Sequence, residues 1–269
     1  MNTIKNKVFG LGLNDLKLSL SKIDLPLYLA YSDIRQRYRR STLGPFWITI
    51  STGVMIGSMG VIFGTIFKAP MSEFFPFLAA GLILWNFISA VLNESCTVFC
   101  AAEPIIKQLP IPLFSHIVRM IARNFYIFLH NLVIFPVVLL IVRGSIGLND
   151  LLFIPGLAIL LLNLGWVSLL LGIVCARFRD LEQIVSSVLQ ILFYITPIIW
   201  LPSLLPARAS VMIISSNPLF HLLQIVRAPL LNQTPEISSW IISLSMATAG
   251  WILCLFIFTK FRNKIAYWL

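Results

Sequence analysis

An all-α integral membrane protein with six transmembrane helices is the fold this sequence predicts, and three observations predict it. Hydrophobic residues fill 58% of the 269 positions while charged ones fill only 11%, against roughly 25% in soluble domains. The mean hydropathy is +0.92. Apolar runs of about 20 residues, the length that crosses a hydrocarbon core, recur along the chain. Soluble enzymes, disulfide-stapled secreted domains and disordered chains are excluded by the same composition. Cys96, Cys100, Cys175 and Cys254 lie in or beside apolar segments and read as small buried hydrophobes. Cys96 and Cys100 share a helix face, but no His, Asp or third Cys stands near enough in sequence to complete a metal site.

Residues 1–46 read as a cytoplasmic N-terminus, and they hold no apolar core of the kind a cleavable signal peptide needs. Within them, residues 25–46 alternate apolar positions (Leu25, Leu29, Ile34, Tyr38) with bases and stop at Gly44-Pro45. That pattern predicts an amphipathic helix lying flat at the membrane surface. Ordinary charge that orients the first span is the plainer reading of the same bases. Residues 47–269 then form the membrane domain, with spans over 47–67, 75–93, 113–142, 151–176, 181–201 and 237–259. The connection 94–112, with Pro104, Pro110 and Pro112, has room for a short helix. The connection 202–236 holds five prolines yet stays apolar (Leu219, Phe220, Leu222, Leu223). A solvated loop has no need of such side chains, so short helices folded back on the outer rim are expected there.

Orientation follows from the bases. An even number of spans puts sixteen Lys and Arg on the side of both termini and four (Lys68, Arg143, Arg208, Arg227) on the other. Lys and Arg concentrate in cytoplasmic loops, so both termini are predicted to face the cytoplasm. The formal charge of +10 belongs to anionic membrane surfaces rather than to nucleic acid, because the bases flank apolar segments.

The sequence nominates no catalytic residue. It lacks the Gly-Lys-Ser/Thr ending of a phosphate-cradling loop, so no nucleotide, metal or other cofactor is expected on this chain. His116, His130 and His221 are scattered without partners at ligand spacing. Acidic residues fall at span edges, away from the midplane where ion-coupled carriers place them. Arg179-Asp180-Leu181-Glu182 is the one candidate for an enzyme's carboxylates, and a charged turn explains it equally. A transporter driven by a separate partner is the reading that remains.

Two groups of residues qualify as conduit candidates. Gly53, Gly57, Gly60 and Gly64 follow one another at steps of four, three and four, along one face of the first span. They serve either close helix packing or a smooth groove for a bulky cargo. Phe193, Tyr194 and Trp200 lie near Pro197 in the fifth span. Their rings suit either stacking on sugars or the aromatic belt at the membrane boundary, and Trp47, Trp85, Trp240 and Trp268 lie near estimated boundaries too.

The run Tyr31-Ser32-Asp33-Ile34-Arg35-Gln36-Arg37-Tyr38-Arg39-Arg40-Ser41-Thr42-Leu43-Gly44-Pro45-Phe46-Trp47 resembles the N-terminal signature of ABC-2 type permeases that export polysaccharides. These are the Wzm, KpsM and TagG groups, for O-antigen, capsule and teichoic acid. Glu103-Pro104-Ile105-Ile106-Lys107 with Pro110, and Asn217-Pro218-Leu219 with Arg227, are further echoes. One departure is Leu109-Pro110, where many relatives carry Phe-Pro. The resemblance covers essentially the whole chain. It implies a homodimer in a bacterial inner membrane, with two copies of an ATPase subunit beneath that bind ATP and Mg. The cargo would be a lipid-linked glycan, O-antigen or capsule, on an undecaprenyl carrier moving between the two permeases. By this likeness Glu103, Pro104, Ile105, Ile106 and Lys107 form a helix coupled to the ATPase. Arg35, Arg37, Tyr38, Arg39 and Arg40 lie at the lipid-headgroup entrance, and Asn217, Pro218 and Arg227 belong to an outer gate spanning 202–236. Export of a small hydrophobic compound, an ion-coupled carrier and a membrane-bound glycan-processing enzyme are the alternatives.

Overall fold

A computed structural model describes residues 2–39, 44, 46–142, 147–204, 206 and 214–269. Among the expected features, Arg40, Arg143 and Arg208 fall outside the described residues. All regular structure among the described residues is helical. The helices are α1 (Asn2–Ser21), α2 (Asp24–Tyr38), α3 (Phe46–Phe67), α4 (Met71–Ala101), α5 (Glu103–Gln108), α6 (Leu113–Leu132) and α7 (Ile134–Val142). They continue with α8 (Phe153–Arg177), α9 (Leu181–Ile195), α10 (Pro218–Leu230) and α11 (Ile237–Trp268), with 3₁₀ turns at Leu148–Leu152 and Pro202–Leu204.

Among the described residues, five segments are long and apolar enough to cross a membrane: Phe46–Phe67, Met71–Gln108, Leu113–Val142, Asn149–Arg177 and Ile237–Trp268. The expected fifth span differs. Its helix α9 has 15 residues, a rise of about 22 Å against a hydrocarbon core of about 30 Å. Pro197 accounts for the stop, because a residue before proline is pushed out of the helical region and Thr196 is extended. The chain then turns inward, and Thr196, Pro197 and Ile198 are buried. The third span is interrupted at Val133, one turn before Pro136, whose ring and missing N–H disrupt the preceding turn.

The ends of several elements also depart from expectation. The N-terminal helix proposed over 25–46 stops at Tyr38, and a preceding helix α1 was not expected. Charged residues at 260–264 end the hydropathy of the last span but not its helix, which runs to Trp268.

Helix α4 is the axis of the bundle. It contacts α3, α5, α6, α7, α8, α9 and α10, and its residues Leu78, Leu82, Ile83, Leu84, Ile88 and Val91 centre the core. Beside it, α8 and α11 form a tight pair. Trp251 lies against Gly165 and Trp166 against Gly250, where any Cβ would collide with the indole. Asn163 donates across the pair to the Ser243 carbonyl at 3.1 Å, the kind of polar tie that joins helices in an apolar medium. Gly156 lets α8 meet the backbone of α10 directly, since a Cβ there would strike the Ile225 carbonyl.

Asp15 joins three elements that are far apart in sequence. Its buried carboxylate accepts from the N–H groups of Leu113 at 3.2 Å and Phe114 at 3.1 Å, the first turn of α6. Pro112 precedes that turn and supplies no side-chain cap of its own, so a carboxylate at this positive helix end fills the vacancy. Arg262 of α11 pairs with the same group at 2.8 Å. The helices at the two chain termini therefore meet at one end of the bundle. Replacing Asp15→Ala strands two amides and a guanidinium, and we expect a loss of about 2–4 kcal/mol, read as a fall in the unfolding midpoint in detergent. Asp15→Asn, which keeps an acceptor, should lose less than half as much.

Candidate functional site

One face of α4 is left open. Between Asn86 and Ala101 its half-buried or exposed positions are Asn86, Ser89, Ala90, Asn93, Glu94, Thr97, Cys100 and Ala101, while the intervening residues are buried. At 1.5 Å per residue, the polar members from Asn86 to Thr97 cover about 16 Å. Helix α9 meets this stripe through Ser186, Leu189, Gln190 and Phe193, of which Leu189 is buried, while Gln183, Ser187 and Tyr194 are exposed and do not line the gap. The two helices and Met55 of α3 line a cavity of about 330 Å³, which includes Trp85, Asn86, Ser89, Asn93, Ser186, Gln190 and Phe193.

The polar groups here are not all satisfied internally. Ser89 and Asn93 bond back to their own helix, at 3.3 Å to the Asn86 carbonyl and 2.9 Å to the Ser89 carbonyl. The side chains of Asn86, Ser186 and Gln190 have no partner among the described residues. Free amides do not face lipid, where each unsatisfied group is costly. This surface calls for water or a hydroxyl-rich ligand.

The conduit candidates from the sequence divide on this frame. Phe193 lines the cavity, its ring centroid 5.7 Å from that of Trp85. Tyr194 is its exposed neighbour. Trp200 lies past the end of α9, donating to the Tyr194 carbonyl at 3.0 Å. Trp85 is buried rather than part of a boundary belt. Among the glycines, Gly60 and Gly64 serve packing, since a Cβ would meet Phe75 at the first and Met71 at the second. Gly57 has open space around it and Gly53 only the tip of Ile134, and neither lines the cavity with Met55. Asn86, Ser89, Asn93, Ser186 and Gln190 were not nominated by sequence. Their 3–4 residue spacing on two apolar helices was the available signal.

Past the cavity, the residues expected at an outer gate converge on the broken end of α9. Asn217 caps α10, accepting from Leu219 N–H at 3.0 Å, and donates to Thr196 Oγ1 at 2.8 Å. Pro218 takes the first helical position, where its missing N–H is harmless. Arg227, 1% exposed, donates to the Pro197 carbonyl at 2.6 Å and to Gln224 at 2.8 Å. Its guanidinium lies 4.1 Å from the centroid of the Phe77 ring.

At the end where the termini meet, Glu103, Pro104, Ile105, Ile106 and Lys107 form α5, with none of them buried. Lys107 and Glu103 pair at 2.7 Å. Ile105 lines a cavity of about 350 Å³ with Glu94, Thr97, His116, Arg119 and Arg123. Arg119 grips Asp33 of α2 through two bonds of 2.8 and 2.6 Å. Arg123 reaches Glu94 at 2.6 Å and Asp33 at 3.4 Å. This clasp ties α2, α4 and α6 together, and it was not foreseen because Arg119 and Arg123 were counted as loop charges. Of the entrance residues, Arg35, Arg37 and Arg39 are exposed and Tyr38 is half-buried on α2.

Burial raises the Asp33 carboxyl, but the Arg119 hydrogen bond and charge, with Arg123 behind, outweigh it and hold the group below its ordinary value. A carboxyl lowered in the fold contributes stability above its unfolded pKa of about 4 and loses it as pH falls through the folded value. We therefore expect Asp33→Asn to lower the unfolding midpoint at neutral pH. That difference from the parent should close progressively below pH ~4 in a thermal scan series.

Comparison with known proteins agrees with this architecture. The family model described as "ABC-2 type transporter" matches residues 27–231. An O-antigen export system permease protein RfbA of Klebsiella pneumoniae is 29% identical over 216 residues, which cover 78% of this chain and 82% of that protein. A protein of the same name from Myxococcus xanthus is 21% identical over 201 residues, 74% of this chain and 77% of its own length. With five membrane-length helices and a family match across most of its length, this chain is a multi-pass membrane protein that belongs to the ABC-2 type transporter family.

Proposed function

We propose that this chain is the membrane subunit of an exporter of lipid-linked surface polysaccharide, O-antigen or capsule, and forms half of the conduit. The single observation that carries the reading is the open polar stripe of α4 facing the Gln190–Phe193 side of α9. Amides, hydroxyls and aromatic faces are what a sugar polymer meets well, since its hydroxyls need hydrogen bonds and its C–H surfaces need flat apolar partners. A hydrophobic drug would leave the unpaired Asn86 and Gln190 amides without partners. The names of the relatives point to the same cargo.

A stripe open on one protomer is closed by a second copy related by two-fold symmetry, so the working unit is a homodimer with the conduit along α3, α4 and α9. The family has an ABC ATPase partner in general. Here two copies would carry the ATP and Mg and dock against α5, whose Glu103–Lys107 face is exposed. The exposed arginines of α2 would meet the diphosphate of an undecaprenyl carrier at the entrance. The chain would cross a bacterial inner membrane six times with both termini cytoplasmic. Support for that parity is the Asp15–Arg262 contact between the first and last helices. The fifth crossing would be completed by the buried Thr196–Ile198 segment, shielded by protein where it leaves helical geometry.

Reconstitution in vesicles with the ATPase subunit, ATP and a lipid-linked glycan tests the reading. Glycan should reach the far side only with both subunits present, and export at full rate by this chain alone would refute it. Ser89→Trp, filling the cavity, should cut export at least about tenfold while the complex still copurifies. That fall in rate corresponds to about 1.4 kcal/mol or more of added barrier. Ile106→Asp on α5 should lower glycan-stimulated ATP turnover several-fold, with assembly retained.

A further inference from the structure

The charges on the three proposed lining helices are of one sign. Among their residues α3 carries no ionisable side chain, α4 carries Glu73 and Glu94, and α9 carries Glu182. None of the three carries a Lys or Arg. Glu94 is neutralised by Arg123 at 2.6 Å, whereas Glu182 stands exposed at the first turn of α9. Between these ends the cavity wall is made of Asn86, Ser89, Asn93, Ser186 and Gln190 with two aromatic rings. Arg123 is engaged by Glu94 and Asp33, and Arg227 by the Pro197 carbonyl; Arg179 is exposed in the turn before α9, outside the cavity lining.

We infer that the conduit selects an uncharged glycan, and that Glu182, Ser186 and Gln190 are specificity-determining residues against polyanionic chains. The inference rests on the reading of α3, α4 and α9 as the conduit. A polymer with a carboxylate on every repeat would enter a wall of low polarisability with no fixed cation to replace its hydration. A two-fold partner doubles the carboxylates rather than balancing them, and like charges raise the barrier further. A neutral chain needs only hydrogen bonds, which unpaired Asn86 and Gln190 supply. The carrier's single diphosphate enters once per chain beside the α2 arginines, so it poses a different problem from charge on every repeat.

Two prenyl-diphosphate-linked polymers of equal length separate the cases in vesicles holding the chain with its ATPase subunit: one of neutral hexoses, one with a hexuronic acid in each repeat. The neutral polymer should cross at least tenfold faster. The double variant Ser186→Lys, Gln190→Lys should narrow that gap by speeding the acidic polymer. Equal rates for the two polymers, or faster passage of the acidic one, would overturn the inference. Ser89→Trp separates this from the underlying reading. If it blocks both polymers while their parent rates are equal, the conduit stands and the charge selection falls. If it blocks neither, the lining is misassigned and both fall.

Discussion

A polar side chain inside a bilayer has to be satisfied by protein, by water or by cargo, and that constraint organises this structure around α4. Every face of the helix but one is covered by other helices, so its leucines and isoleucines need nothing from lipid. The remaining face carries Asn86, Ser89, Asn93 and Thr97 in register. Placed toward hydrocarbon, the free amides would each cost several kcal/mol. Ser186 and Gln190 of α9 answer the same demand from the other side of the cavity.

The end of the bundle where the first and last helices meet is held by a different kind of force. Asp15 and Asp33 each reach from an N-terminal helix to α6, the first at its end and the second at Arg119. One caps the helix and holds Arg262. The other grips Arg119 and, through Arg123 and Glu94, connects to the lower part of α4. Asp15 is buried and Asp33 half-buried, and Arg119 holds both oxygens of Asp33, so these pairs fix the orientation of the helices they join. Their effect is that α2, α4 and α6 move together or not at all.

Much of the framework was legible in the sequence, because membrane spans announce themselves by length and apolarity. Spans one, three and four appear within a few residues of their expected limits, the helices of spans two and six run on to Ala101 and Trp268, and the proline-rich 202–236 connection does contain a helix packed on the core. Hydropathy gave no warning of where helices stop, which depends on local geometry. Pro197 shortened the fifth span, and Asp15 allowed the last to continue past Lys260. Asn217 and Arg227, named from the sequence as a gate, both bond the broken end of α9, contacts that no local pattern announces. Of the conduit candidates, Phe193 faces the cavity and Trp200 does not, a difference set by the bend at Thr196. The Asn86–Asn93 stripe was missed because neutral amides register as weak polarity in an apolar window, although their spacing was visible. The two clasps were missed because ion pairs between residues 29 to 247 apart leave no local pattern.

The break in α9 gives the outer helix α10 its mechanical role. Asn217 bonds to Thr196 and Arg227 to Pro197, so α10 is fastened at two points to the end of α9 rather than hanging as an independent flap. Helix α10 also rests on α4, with Phe77 under the Arg227 guanidinium, and meets α8 backbone to backbone at Gly156. At the opposite end α4 is followed by α5 after one residue, Ala102. One stiff helix therefore touches α5, the polar stripe and α10 in turn. Packed helices transmit displacement because cores shift between discrete arrangements rather than deforming smoothly. A displacement of α5 relative to α10 therefore runs along α4, past the cavity that α4 shares with α9.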